Sequence, residues 1–319
     1  MIINIILLIV GFIILIKGAD IFVDGASAVA GNLKVSKMLI GLTIVAFGTS
    51  APEFAVSIKS LLVGSGDIVM GNVIGSNILN ILLILGCASL VHTLNVKNNT
   101  VRKELPITLM ITLAFSVLIA DTIFTKDAVN SFSRGDGLIL VLFFGVFMYY
   151  LISMSRNKID EKVDEQYPSM KKSLILTAIG LAGIVLGSNF VVDGASELAK
   201  IIGISERMIS LTIVALGTSL PELVTSVTAT KKGAYDIAIG NVVGSNIFNI
   251  SMVIGVPIAI LGGIPQINFS YIDIIVMILS ALLLFTFACK DHKISKNEGV
   301  IFLLIFVAYY SYVIFGHTA

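Results

Sequence analysis

The sequence predicts an all-α membrane protein of ten transmembrane helices, arranged as two inverted-topology repeats of five. Three observations carry this. The 319 residues are 56% hydrophobic and 13% charged, with a mean hydropathy of +1.01, far oilier than a soluble domain. Ten mostly apolar runs approach the ~20 residues that a bilayer crossing needs. One segment of the chain also matches another at a constant offset of 169 residues.

The predicted spans are 2–23, 38–63, 67–91, 105–120, 137–154, 173–192, 207–230, 236–261, 267–289 and 300–316. The first has no basic leader and no small-residue cleavage site, so it is expected to be a span and not a removable signal. Lys17 inside it is expected to snorkel to the interface. The most charged connection, Arg156–Lys172, carries Asp160, Glu161, Lys162, Asp164 and Glu165 and is too short to be a domain. The expected organisation is therefore an N-terminal repeat over 1–154, a linker over 155–172 and a C-terminal repeat over 173–319.

Basic residues orient the chain. The loops after spans 1, 3, 5, 7 and 9 hold fifteen Lys and Arg, and the opposite side holds five, Lys59, Lys126, Arg134, Lys200 and Arg207. The positive-inside rule then places the linker in the cytoplasm and both termini outside the cell membrane. A net charge of +1 gives no case for nucleic acid as a partner. Cys87 and Cys289 fall in or at the end of apolar runs, which argues against a disulfide framework. His92, His292 and His317 lie outside the spans.

The repeat runs without a gap from Gly18/Gly187 to Gly86/Gly255, with 33 of 69 positions identical. Asp24-Gly-Ala-Ser27 returns as Asp193-Gly-Ala-Ser196, and Leu42-Thr-Ile-Val-Ala46 returns as Leu211-Thr-Ile-Val-Ala215. Five spans per copy is an odd number, so the second copy enters the membrane in the opposite sense. Such folds place a substrate site near the midplane, where the repeats meet.

The longest identical blocks are polar. Span 2 reads Ala46-Phe-Gly-Thr49-Ser50-Ala-Pro52-Glu53 and span 7 reads Ala215-Leu-Gly-Thr218-Ser219-Leu-Pro221-Glu222. These motifs, 38–91 and 207–261 with the spans that follow, put one carboxylate near the middle of each span, where insertion costs at least ~2.5–3.5 kcal/mol. Ala46, Thr49, Ser50 and Glu53 stand at i, i+3, i+4 and i+7, so a helix sets them in one stripe. Pro52 and Pro221 each remove a backbone donor and free carbonyls one turn earlier. Spans 3 and 8 add Gly71-Asn72-Val-Ile-Gly75-Ser76-Asn77-Ile-Leu-Asn80 and Gly240-Asn241-Val-Val-Gly244-Ser245-Asn246-Ile-Phe-Asn249. Ser76 and Asn80 share one helix face, as do Ser245 and Asn249, where the bland reading is interhelical hydrogen bonding.

Two carboxylates among neutral oxygens suit a hard cation. Calcium accepts six to eight oxygens in flexible geometry, whereas transition metals prefer the imidazole or thiolate that these motifs lack. Two glutamates neutralise one divalent ion, and monovalent ions or protons can balance the same charge.

The doubled Gly-Thr-Ser-x-Pro-Glu and Gly-Asn-x-x-Gly-Ser-Asn-Ile-x-Asn segments, at Gly48–Glu53, Gly217–Glu222, Gly71–Asn80 and Gly240–Asn249, resemble the alpha repeats of the cation/calcium exchanger superfamily, sodium/calcium exchanger branch. The resemblance covers the whole ten-span plan. It implies an antiporter, working as a monomer without a cofactor, in which Glu53 and Glu222 bind calcium with backbone oxygens of Thr49 and Thr218. It also implies that the Ala46 and Ala215 carbonyls, with Thr49, Ser50, Ser76, Thr218, Ser219 and Ser245, complete sodium sites. Asn80 and Asn249 stand beside the centre, and spans 1 and 6 slide to switch access. Some relatives carry Asp at the place of Asn249, and in the potassium-dependent branch an Asp in this part of the second repeat is associated with potassium, so Asn at both Asn80 and Asn249 argues against potassium cotransport. The proton-coupled branch usually shows Gly-Asn-x-x-Glu in span 2, which favours sodium over protons. The linker has no room for the large cytosolic regulatory domain of animal relatives.

Three rivals are weighed against this reading. Gly64-Ser-Gly-Asp67 and Tyr235-Asp236 match motifs of intramembrane aspartyl proteases, but both aspartates are expected to cap spans 3 and 8 on opposite faces. A serine nucleophile at Ser50 would lack an intramembrane histidine as base. A passive cation channel differs from an antiporter only in flux. Asp24 and Asp193 are expected at the exposed ends of spans 1 and 6.

Overall fold

A computed structural model describes residues 2–124, 129–156, 167–203, 215–267 and 269–315. Its helices are α1 (Ile2–Leu33), α2 (Lys37–Thr49), α3 (Ala51–Leu62), α4 (Gly66–Val91), α5 (Leu105–Leu118), α6 (Asp121–Phe124), α7 (Arg134–Arg156), α8 (Met170–Ile201), α9 (Ala215–Thr218), α10 (Leu220–Lys231), α11 (Tyr235–Leu261), α12 (Tyr271–Asp291) and α13 (Lys296–Phe315). Two short antiparallel ribbons tie loops together, β1 (Leu94–Asn95) with β4 (Lys293–Ile294) and β2 (Asn130–Phe132) with β3 (Ile264–Ile267).

The protein is a helical membrane protein. Among the described residues seven helices are by themselves long and apolar enough to cross a bilayer. An eighth span results when α2 and α3, bent by 45°, are counted as one. The two other predicted spans fall short for definite reasons. Helix α5 has 14 residues and continues a π-helical turn, Thr100–Glu104, whose Arg102, Lys103 and Glu104 are charged. The predicted span 207–230 begins within 204–214, which lies outside the described residues, as do 157–166 of the linker, Lys126 and His317.

Several predicted ends move. Span 1 was expected to close at Val23 and span 6 at Val192, yet α1 runs to Leu33 and α8 to Ile201. Asp24 and Asp193 therefore sit inside long helices and not at their ends. The reason is that the sequence after each aspartate contains good helix formers, and one polar residue does not by itself end a helix. Asp67 and Asp236 likewise fall in the first turns of α4 and α11, where Ser65 and Ala234 hold the cap positions. Asp236 forms an ion pair with Lys97 at 2.6 Å.

Helices α4 and α11 are the buried centre, and α1, α7, α8, α12 and α13 surround them with apolar side chains turned outward. Gly64 and Gly233, equivalent under the 169-residue offset, take φ of 75° and 71° in the turns leading into α4 and α11, a conformation natural only to glycine. Helices α1 and α8 pack antiparallel along a stripe of glycines spaced by seven, Gly11, Gly18 and Gly25 against Gly180, Gly187 and Gly194. A methyl at Gly18 would stand 2.7 Å from the Ile184 nitrogen, and one at Gly187 would stand 2.5 Å from the Leu15 nitrogen. The two backbones are thus in direct contact.

Candidate functional site

The break between α2 and α3 builds the first half of the site. Helix α2 contains a π-helical segment, Gly41–Val45, and ends at Thr49; Ser50 has non-helical ψ, and Pro52 opens α3. A proline in the first turn needs no intrahelical donor, so the chain restarts there at little cost. Glu53 consequently stands in the first turn of a helix, where unpaired amides favour a carboxylate. The second copy repeats this with α9, Ser219, Pro221 and Glu222 in the first turn of α10. Its turn is tighter, the Ser219 amide bonding the Leu216 carbonyl at 3.1 Å where the Ser50 amide reaches Ala46 at 3.0 Å. The single continuous stripe expected of Ala46, Thr49, Ser50 and Glu53 is therefore broken at Ser50.

Packing brings the halves together across the repeats. Glu53 and Glu222 are each 1% exposed, and each lies within electrostatic reach of the other. The Ser50 hydroxyl donates to Glu222 Oε1 at 3.0 Å and lies 2.9 Å from Ser245 Oγ. Thr49 also lies beside Glu222, while Thr218 and Ser219 lie beside Glu53. Each carboxylate is thus approached by hydroxyl residues of the opposite copy.

Helices α4 and α11 supply the remaining polar groups. Asn80 and Asn249 each begin a π-helical segment, Asn80–Leu85 and Asn249–Ile254, a local widening frequent at functional sites. Asn80 Nδ2 donates to Asn246 Oδ1 at 2.9 Å. Both amide atoms of Asn249, both Glu53 oxygens, Glu222 Oε2, Ser219 Oγ and Asn80 Oδ1 are buried without a protein hydrogen-bond partner. Ser76 is buried on α4 one turn before Asn80, and Ala46 is buried on α2; Ala215 begins α9. Ser76 is not tied to the other predicted residues by a side-chain hydrogen bond among the described contacts.

Sequence reasoning left out a second ring of amides and hydroxyls. Asn241 Nδ2 donates to Ser226 Oγ at 2.9 Å and the Glu222 carbonyl at 3.4 Å, while its Oδ1 accepts from Thr49 Oγ1 at 3.0 Å. Asn72 Nδ2 repeats the donor half, to Ser57 Oγ at 3.0 Å and the Glu53 carbonyl at 3.1 Å. Their identity at both ends of the 169-residue offset was the available signal.

A cleft of about 460 Å³ opens between α3 and α8, lined by Pro52, Ser188, Asn189, Asp193 and Thr218 among others. At the equivalent corner between α10 and α1 the helices are joined. There Lys232 Nζ lies 2.7 Å from Asp24 Oδ1, 3.5 Å from Asp20 Oδ1 and 2.8 Å from the Asp20 carbonyl.

Among the described residues no three His, Cys, Asp or Glu side chains gather as a metal-binding group. The donor set is two carboxylates with hydroxyl, amide and carbonyl oxygens, the chemistry of a hard cation.

The chain matches the family described as sodium/calcium exchanger protein over residues 3–153 and 172–315. It is 31% identical to sodium/calcium exchanger MaX1 of Methanosarcina acetivorans, over 96% of this chain and 97% of that protein. It is 34% identical to inner membrane protein YrbG of Escherichia coli, over 95% and 94% respectively. The solved structure of the sodium-calcium exchanger NCX_Mj soaked with 10 mM Na+ and zero Ca2+ superposes with a TM-score of 0.84 at 33% identity, covering 96% of this chain and 97% of that one.

Fold and site together define a helical membrane transporter of cations, not an enzyme. The chain belongs to the sodium/calcium exchanger protein family.

Proposed function

We propose that the protein exchanges calcium for sodium across the cell membrane by alternating access. It does so as a monomer of ten spans in two inverted repeats, 1–154 and 173–319, joined by the cytoplasmic linker 155–172 with both termini outside. The observation that carries this reading is the buried group of unpartnered oxygens around Glu53 and Glu222. Buried polar atoms are almost always satisfied, so a cluster of exceptions contributed by both repeats marks a place for a ligand. Two carboxylates balance one calcium ion, or sodium ions in its place, while an empty doubly charged site crosses the low-dielectric core poorly. That mutual exclusion is what couples the two fluxes. Glu53 and Glu222 hold calcium with backbone oxygens of Thr49 and Thr218. The Ala46 and Ala215 carbonyls and the hydroxyls of Thr49, Ser50, Ser76, Thr218, Ser219 and Ser245 serve sodium, beside Asn80 and Asn249. The antiparallel seam of α1 and α8 supports the inverted plan, and it lets those helices move as one unit across the core.

In proteoliposomes, a sodium gradient is expected to drive calcium uptake against its own gradient. Uptake that follows only a pH gradient would assign the counter-ion to protons, and downhill calcium flux without any coupling would make the protein a channel.

On this plan the α3–α8 cleft faces outside and the joined α1–α10 corner closes the inside. Lys232→Gln removes the cation that joins α10 to Asp20 and Asp24. Partly exposed ion pairs contribute up to about 1 kcal/mol, so the equilibrium between states is expected to shift inward by up to about fivefold. External half-saturating calcium should rise in the variant, and high salt should reproduce the change in the parent alone. Unchanged calcium dependence would remove this ion pair from the closure.

A further inference from the structure

We propose that Asn241 is a positioning residue that makes the Thr49 hydroxyl an oxygen donor to sodium by taking its proton out of the ion site. The inference rests on the site described above and deepens it. A hydroxyl ligates a cation through its lone pairs, so its hydrogen must point elsewhere. Three acceptors lie near the Thr49 hydroxyl. Two belong to the proposed ion shell, the Ala46 carbonyl at 3.4 Å and the neighbouring Glu222 carboxylate. The third, Asn241 Oδ1 at 3.0 Å, lies outside it.

The amide cannot turn round. Asn241 is fully buried, and its Nδ2 faces the Glu222 carbonyl, which only accepts, together with Ser226 Oγ. Oδ1 is thereby held toward Thr49. Without this acceptor, the Thr49 proton would turn to Ala46 or Glu222 and occupy a lone pair that a cation needs. Because the site proposed above gives calcium the backbone oxygen of Thr49 and sodium its side chain, Asn241 bears on sodium far more than on calcium.

The test reads half-saturating sodium and calcium separately, in purified protein reconstituted in proteoliposomes. Asn241→Leu is expected to raise the sodium value about tenfold, the scale of one lost hydrogen bond, with the calcium value within about twofold. In a Thr49→Val background, which lacks the proton, Asn241→Leu should add no further loss, because the two changes remove one interaction. Equal losses for both ions, or additive losses in the double variant, would each overturn the assignment. Should Asn241→Leu not yield monodisperse protein, Asn241→Ser carries the same comparison. Glu222→Gln in the same assay separates the two levels of argument. Retained exchange there removes the site itself, whereas lost exchange with an unselective Asn241→Leu removes only the positioning role.

Discussion

Glu53→Gln and Glu222→Gln are each expected to abolish calcium exchange. Neutralising one carboxylate leaves a single negative charge for a divalent ion in a site from which bulk water is excluded. Breaking a buried charge balance costs about 3–5 kcal/mol, a fall in transport of roughly a hundred- to several-thousandfold. Radiolabelled calcium uptake measures it directly. The stability of the empty protein should move the other way. Both Glu53 oxygens are buried without a protein partner, so Glu53→Gln relieves the cost of holding an ionisable carboxyl out of water. Thermal melting without calcium should rise in that variant, whereas the upward shift that added calcium gives the parent should vanish. A parent that melts at the same temperature with and without calcium would break the link between the unpartnered carboxylates and the ion. Exchange retained in either variant would remove the two-carboxylate site.

Gly18→Val and Gly187→Val are expected to stop transport while leaving the ion site able to bind. At both positions the added carbons would meet the backbone of the facing helix, 2.7 Å away at Gly18 and 2.5 Å at Gly187, and backbone cannot rotate aside as a side chain can. Overpacking of this kind costs at least about 1–3 kcal/mol, released by forcing α1 and α8 apart. Glu53, Glu222 and Asn241 lie on other helices, α3, α10 and α11. Equilibrium calcium binding should therefore survive where flux does not. Flux at the parent's rate in Gly187→Val would show that the close seam is not needed for movement, and loss of binding together with flux would mean the seam supports the whole fold.

The sequence alone could show that two carboxylates occupy equivalent places in a repeat, because identity at one offset is independent of folding. It could also locate the interruption, since Pro52 and Pro221 act on their own backbone. Span ends were less legible. Hydropathy detects the bilayer, whereas a helix ends only where its backbone bonding ends, so α1 continues ten residues beyond Val23. Asp236 looked like a cap by its position, yet it pairs with Lys97, a residue remote in sequence.

What the sequence determined by itself is the inventory: an oily chain, a repeat at 169 residues, and Glu53 and Glu222 each preceded by Thr, Ser and Pro. What only the tertiary structure decided is the pairing. Ser50 stands three residues before Glu53, yet it bonds Glu222, and Thr49 donates a hydrogen bond to Asn241 on α11. Spacing along a chain fixes which side chains share one helical face, because that geometry is local. Which face meets which is set by how helices pack, here by the contact of Gly41 with Gly240 that lets α2 and α11 approach. Residues some 170 or more positions apart thereby converge on one buried point, and no local pattern records that.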